Sequence, residues 1–187
     1  AIDVVEGETT YTNKIELPEN VQGYFQFQLQ PYNIAVMGTQ TASNLLNFGT
    51  PYPVPYAESF ANAKITKPQW GVDSRIVVGS DAPQWTFTSA MGYPYYANPQ
   101  DDDNGFVYFN SERCRAGSSL TFLSPSVSIK GLTNPKLTFY VFHVNISGSN
   151  DKDILQIQVS ADDADYEDLA GGLIKLNATN DGWTLYE

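Results

Sequence analysis

DDDNGFVYFNSERCRAGSSLTFLSP, residues 101–125, decides how the rest of the chain is read. Three carboxylates, an amide and Gly105 open it. Phe106, Val107, Tyr108 and Phe109 follow as a strand with two populated faces, Phe106 and Tyr108 on one and Val107 and Phe109 on the other. A polar turn comes next, then Leu120, Phe122 and Leu123 before the break at Ser124-Pro125. Short apolar runs of high β-propensity, separated by turn residues, predict neighbouring strands of an all-β sandwich. The acidic opening is also the one place where the chain concentrates side chains able to do chemistry.

Working outward, composition agrees with this reading. Aromatic residues make up 13% of the 187 residues, mostly Tyr and Phe, which pack well on a pleated surface. The formal net charge is -11. Such a surface repels phosphate backbones, so nucleic acid is not an expected partner, and it disfavours anionic membranes. It suits a secreted protein or one that attracts divalent cations. No apolar run of about 18 residues is present, so neither a transmembrane helix nor membrane insertion is expected. Cys114 is the only cysteine, which leaves no intramolecular disulfide and points to a bacterial surface protein or a cytosolic one. Flanked by Arg113 and Arg115, an exposed Cys114 would have a lowered pKa. An incidental free thiol in a turn is the simpler expectation. The chain starts at Ala1, with no signal peptide, and is expected to be a processed or partial piece of something longer.

Along the chain the pattern stays β. Residues 9–17 (TTYTNKIEL) alternate loosely and stop at Pro18-Glu19-Asn20. Residues 24–32 (YFQFQLQPY) alternate strictly, with Phe25, Phe27 and Leu29 on one face and Gln26, Gln28 and Gln30 on the other. That is the period of a half-buried strand. Residues 39–48 give a third run. Pro51, Pro53 and Pro55 then predict an extended, stiff linker over 51–57. Residues 136–144 (KLTFYVFHV) are the most hydrophobic run and predict a central strand covered on both faces. Residues 154–159 alternate again. The acidic run carrying Asp162, Asp163, Asp165, Glu167 and Asp168 reads as a solvated hairpin loop. An apolar pattern of helical period never persists over about a dozen residues.

Two resemblances organise these runs. Leu17, Tyr24 after the turn, the strand through Leu29, Tyr32-Asn33 and Met37-Gly38 resemble the last strands of a fibronectin type III domain, whose Leu and Tyr form a tyrosine corner. The match covers about half of such a domain. One larger sandwich is the alternative. From residue 58 the order of landmarks resembles the MAM-like jelly rolls, including the bacterial cleaved-adhesin or choice-of-anchor modules. The landmarks are Glu58-Ser59-Phe60, Trp70 or Trp85, the Asp-rich loop with Gly105, Leu123 to Pro125, "LTFYVFHV" from Leu137, Asp153 before an alternating strand, and Trp183. Animal MAM disulfide cysteines are missing, which favours the bacterial branch. The expected organisation is therefore a partial fibronectin III-like sandwich over 1–50, a Pro-rich linker over 51–57, and a jelly-roll β-sandwich over 58–187, incomplete at its C-terminal end.

For the acidic loop, adjacent carboxylates repel and are relieved by a cation or by water. Ca²⁺ takes six to eight oxygen ligands of these types. The spacing does not match an EF-hand. The jelly-roll resemblance implies a structural Ca²⁺ held by Glu58, Asp102, Asp103 and Asn104, and a solvated acidic turn is the competing expectation. Tyr93, Tyr95 and Tyr96, in a segment rich in Pro and acids, are candidates for stacking on a sugar face. Trp70 and Trp85 could join them but are expected in the core. His143 is the only histidine and sits among apolar neighbours, so a triad or transition-metal site is not expected. The expected function is a non-catalytic, extracellular cell-surface adhesion or carbohydrate-binding module. Its expected partner is a glycan or a host surface protein, and it acts as a monomer or as part of a longer chain. The alternatives are an accessory domain of a secreted hydrolase and, more remotely, a carboxylate-dependent glycoside hydrolase.

Overall fold

The computed structural model describes residues 2–19, 21–43, 45–73, 84–92, 96–101, 104–144, 153–161, 165–176 and 182–187. The protein is all-β with one short helix. In chain order the strands are β1 (Gly23–Phe25), β2 (Gln28–Leu29), β3 (Thr41–Ala42) and β4 (Leu46–Phe48). Helix α1 (Ala63–Gln69) leads into β5 (Gly71–Asp73), β6 (Thr86–Thr88) and β7 (Phe106–Tyr108). Then come β8 (Thr121–Leu123), β9 (Phe139–Val141), β10 (Asp153–Val159), β11 (Glu167–Leu176) and β12 (Thr184–Tyr186). Among the described residues these strands form antiparallel pairs: β1 with β4, β2 with β3, β5 with β8, β6 with β7, β9 with β12 and β10 with β11.

The pair β6–β7 fulfils the two-faced pattern read from residues 106–109. Thr86 stands opposite Tyr108 and Thr88 opposite Phe106, so these four share one face, while Phe87 and Val107 share the other. On the Phe87 side lies an aromatic cluster centred on Phe122 of β8. Its ring stacks on Trp70 (4.7 Å, 20°) and meets Trp85 at 5.3 Å, Phe87 at 5.9 Å and Phe60 at 6.3 Å. Trp85 donates its indole N–H to the Leu120 carbonyl (3.1 Å). Trp70 and Trp85 are thus packing residues. The opposite face centres on buried Phe106, which meets Trp183 at 5.7 Å; Trp183 also touches Phe142 and donates to the Asn98 carbonyl.

Close backbone approaches join the early strands to this core. Gly71 has no Cβ where the Tyr24 ring lies, since a Cβ there would come within 2.8 Å of the ring. The Tyr24 hydroxyl donates to the Ser124 carbonyl (2.7 Å), and Asn47 donates to Ser126 Oγ (2.6 Å). The Pro-rich segment is held as well: Tyr52 forms a parallel bridge with Val127, through Tyr52 N to Ser126 O and Ser128 N to Tyr52 O, both 2.8 Å. Residues 1–57 and the region around 124–128 therefore share hydrogen bonds directly.

Some strand expectations are corrected. Residues 9–17 form no strand; their alternation was loose and their side chains are mostly exposed. Residues 24–32 do not make one strand. The chain breaks at 26–27 and changes partner from β4 to β3. Residues 136–144 are not a central strand covered on both faces. Only Phe139–Val141 is strand, β12 is its partner, and Leu137 and Tyr140 are 55% and 45% exposed. An apolar run records what a segment can bury, and the covering layers have to come from elsewhere. Helix α1, which periodicity did not reveal, is only two turns long and contains Pro68.

Candidate functional site

Two regions bear on function. The first is the junction between residues 58–60, which do not form the strand expected there, and the acidic loop. Gly105 N donates to Ser59 O (2.9 Å), and a Cβ on Gly105 would lie 2.2 Å from the Phe60 carbonyl oxygen. Only glycine allows the two backbones to come this close. Asn104 and Glu58 therefore each stand one residue from the same backbone junction. Asn104 N closes a turn onto Asp101 O (2.9 Å). Glu58 Oε1 accepts from Phe60 N (2.7 Å) and from the hydroxyl of Thr66 (3.1 Å), a side chain only 3% exposed. These bonds help to hold Phe60 at φ 55, a conformation rare for a bulky residue.

Of the four expected Ca²⁺ ligands, Glu58 and Asn104 are thus brought to one junction, and Asp102 and Asp103 lie outside the described residues. One Glu58 oxygen is already engaged in positioning Phe60 and α1. Among the described residues no three His, Cys, Asp or Glu side chains converge. In the second acidic run, Asp168 accepts from Gln158 (2.8 Å) beside the β10–β11 turn, and Asp162 and Asp163 are outside the described residues.

The second region is a cleft of about 310 Å³ against β6–β7, lined by Thr86, Phe87, Thr88, Ala90, Met91, Gly92 and Tyr108. The cross-strand register puts Thr86, Thr88 and Tyr108 on one face, giving two hydroxyls and a phenol ring a common outlook. Thr88 Oγ1 donates to Ala90 O (2.8 Å) and accepts from Ala90 N (3.3 Å), which fixes the turn out of β6. The chain beyond Gly92 loops back: Met91 N donates to Ala97 O (2.8 Å) and Tyr96 N to Gly92 O (3.1 Å). Tyr96 is 69% exposed at φ 39, one backbone hydrogen bond from the cleft wall. Tyr93 and Tyr95 lie outside the described residues. Sequence reading missed the cleft itself, because Thr86 and Tyr108 become neighbours only through strand pairing.

Among the described residues two ionisable side chains show clear shifts. Burial, with a smaller contribution from the Asp153 charge, raises the Cys114 thiol above its ordinary range. The lowering expected of an exposed thiol between Arg113 and Arg115 does not arise, since Cys114 is half-buried. Burial also raises the Tyr56 phenol. The nearby Trp70 indole works against that rise, and Glu58 and Tyr52 add to it. Tyr56 Oη and Trp70 Nε1 are both buried, and their approach does not complete a well-formed hydrogen bond. His143 is half-buried just past β9, beside Phe142.

No family model matches the chain, and no curated protein or solved structure matches it either. No helix among the described residues is long and apolar enough to cross a membrane.

Proposed function

We propose that this protein is a non-catalytic extracellular binding module that recognises a glycan at the β6–β7 cleft. The observation that supports it is the position of Tyr96 beside a concave surface bearing the Thr86 and Thr88 hydroxyls and the Tyr108 ring. A sugar needs an aromatic plane for its apolar face and fixed hydroxyls or carbonyls for its edges. The backbone bond from Tyr96 N to Gly92 O supports this, since Gly92 is part of the cleft wall. The net charge of -11 favours a neutral or cationic ligand over a sulfated or phosphorylated one.

As part of the same reading, Ca²⁺ held by Glu58, Asp102, Asp103 and Asn104 would brace the acidic loop against residues 58–60. The Gly105–Ser59 hydrogen bond supports this by bringing the end of the loop and residues 58–60 together. The metal would act as a structural tie, with Glu58 sharing its carboxylate between the ion and the Phe60 turn.

A glycan array probed with the intact chain, with Ca²⁺ and with EDTA, tests both parts. Binding to at least one neutral glycan is expected, and Tyr96→Ala should weaken it at least tenfold without changing the melting temperature. Ca²⁺ at millimolar concentration should raise that temperature, since a ligand of the native state stabilises it by mass action. An inert array would overturn the glycan reading, and an unmoved melting temperature would retire the metal.

A further inference from the structure

Asn104 and Gly105 form the only Asn-Gly pair in the chain. An asparagine in front of glycine is chemically unstable, because glycine has no Cβ to obstruct attack by its own backbone nitrogen on the asparagine side chain. The nitrogen loses its proton and bonds to Asn104 Cγ. The side-chain amide leaves as ammonia, and a five-membered succinimide closes. Water then opens the ring at either carbonyl. One opening leaves aspartate. The other leaves isoaspartate, in which the main chain runs through the former side chain and is one methylene longer. Water is consumed, ammonia is released, and either product carries a new carboxylate.

The fold guards the first step. Gly105 N donates to Ser59 O (2.9 Å), so the proton that has to leave is engaged. Gly105 is buried, and the carbonyl oxygens of Phe60 and Thr88 stand 2.2 and 3.0 Å from where a Cβ would be. On the other side Asn104 N donates to Asp101 O (2.9 Å). The attacking nitrogen therefore sits between two backbone hydrogen bonds. Glu58 supports the contact from behind, since its carboxylate accepts from Phe60 N and from the Thr66 hydroxyl. Asn104 itself is only half-buried, so water reaches the ring once it forms. We propose that Asn104 is a deamidation site held closed by the contact of Gly105 with residues 59–60, and that opening of this contact lets the loop be altered irreversibly. Isoaspartate lengthens the chain between the two hydrogen bonds. It also puts a fourth carboxylate beside Asp101, Asp102 and Asp103, where like charges repel. Both changes oppose re-closure, which makes the switch one-way.

Peptide mapping by mass spectrometry tests this on the intact chain, kept at mildly alkaline pH in EDTA so that no cation takes part. A synthetic peptide of residues 100–109 gives the unguarded rate. Asn104 in the folded chain should convert at least about tenfold more slowly than in the peptide, because conversion waits for a local opening. Glu58→Ala, which releases Phe60, should raise the rate severalfold. If circular dichroism shows that variant unfolded, Thr66→Val, which removes only the hydroxyl donated to Glu58, takes its place. Phe139→Ala weakens the β9–β12 pair, outside this contact, and should leave the rate unchanged. The isoaspartate form, separated by ion exchange, should melt below Asn104→Asp, which carries the same charge on an ordinary backbone. Conversion as fast as in the peptide, a rate indifferent to the Glu58 or Thr66 variant, equal acceleration by Phe139→Ala, or an isoaspartate form that melts with Asn104→Asp would overturn the proposal.

Discussion

At Gly105 the available space sets the residue. Its backbone lies where a Cβ would meet the Phe60 carbonyl oxygen at 2.2 Å, against backbone that cannot yield cheaply. At Gly117 the limit is different: φ is +84 and nothing lies within 4 Å. Alanine at 105 must push two backbones apart, which costs about 3 kcal/mol, whereas at 117 it carries only the left-handed penalty of about 1 kcal/mol. Urea unfolding of Gly105→Ala and Gly117→Ala should show this difference. Equal losses would mean that the acidic loop does not depend on its contact with residues 59–60. The sequence showed a glycine after four polar residues and suggested a turn. That it also marks a close backbone approach to a segment 45 positions earlier was not legible, since nothing local encodes which backbone arrives.

At the level of elements, Phe122 links β8 to α1's end, β6 and the Phe60 turn through four ring contacts. Phe122→Ala removes the ring that the others share and should cost about 3 kcal/mol, near the lower end for an aromatic truncation because the cluster is only half-buried. Phe139→Ala, whose ring stacks on Tyr186 at 5.8 Å in a peripheral pair, should cost roughly half as much. Thermal or urea denaturation of the two variants decides the order, and a reversed order would move the centre of the core to β9–β12. The alternation around residues 106–109 was legible because period two is a local property of the chain, whereas at 154–159 the strand was legible but not the register shift between Gln156 and Gln158 that interrupts its alternation. The apolar run at 136–144 misled because burial depends on neighbours that a segment does not carry. Tyr96 could be picked out as an exposed ring. The cleft beside it could not, since Thr86 and Tyr108 meet only through pairing.

For the whole molecule, surface area is the telling quantity. The chain exposes 14404 Å², while a compact monomer of 20.7 kDa exposes about 8,900 Å². The excess cannot come from one patch: a standard interface hides only about 800 Å² per partner. It follows from the architecture, in which the described strands stand in two-stranded sheets. Two strands expose two edges and bury little, so the sheets depend on aromatic contacts such as those at Phe122 and Trp183 to hold together. The same openness explains why the buried apolar core among the described residues is confined to Ala97, Phe106, Leu123 and Ile174, each still 5% to 8% exposed. Small-angle scattering of the dilute chain should therefore give a radius of gyration clearly above about 16 Å, the value for a compact domain of this length. A value at or below that would mean that the paired strands close into continuous layers in solution. The exposed apolar faces, including the one on β1–β4, would then be internal.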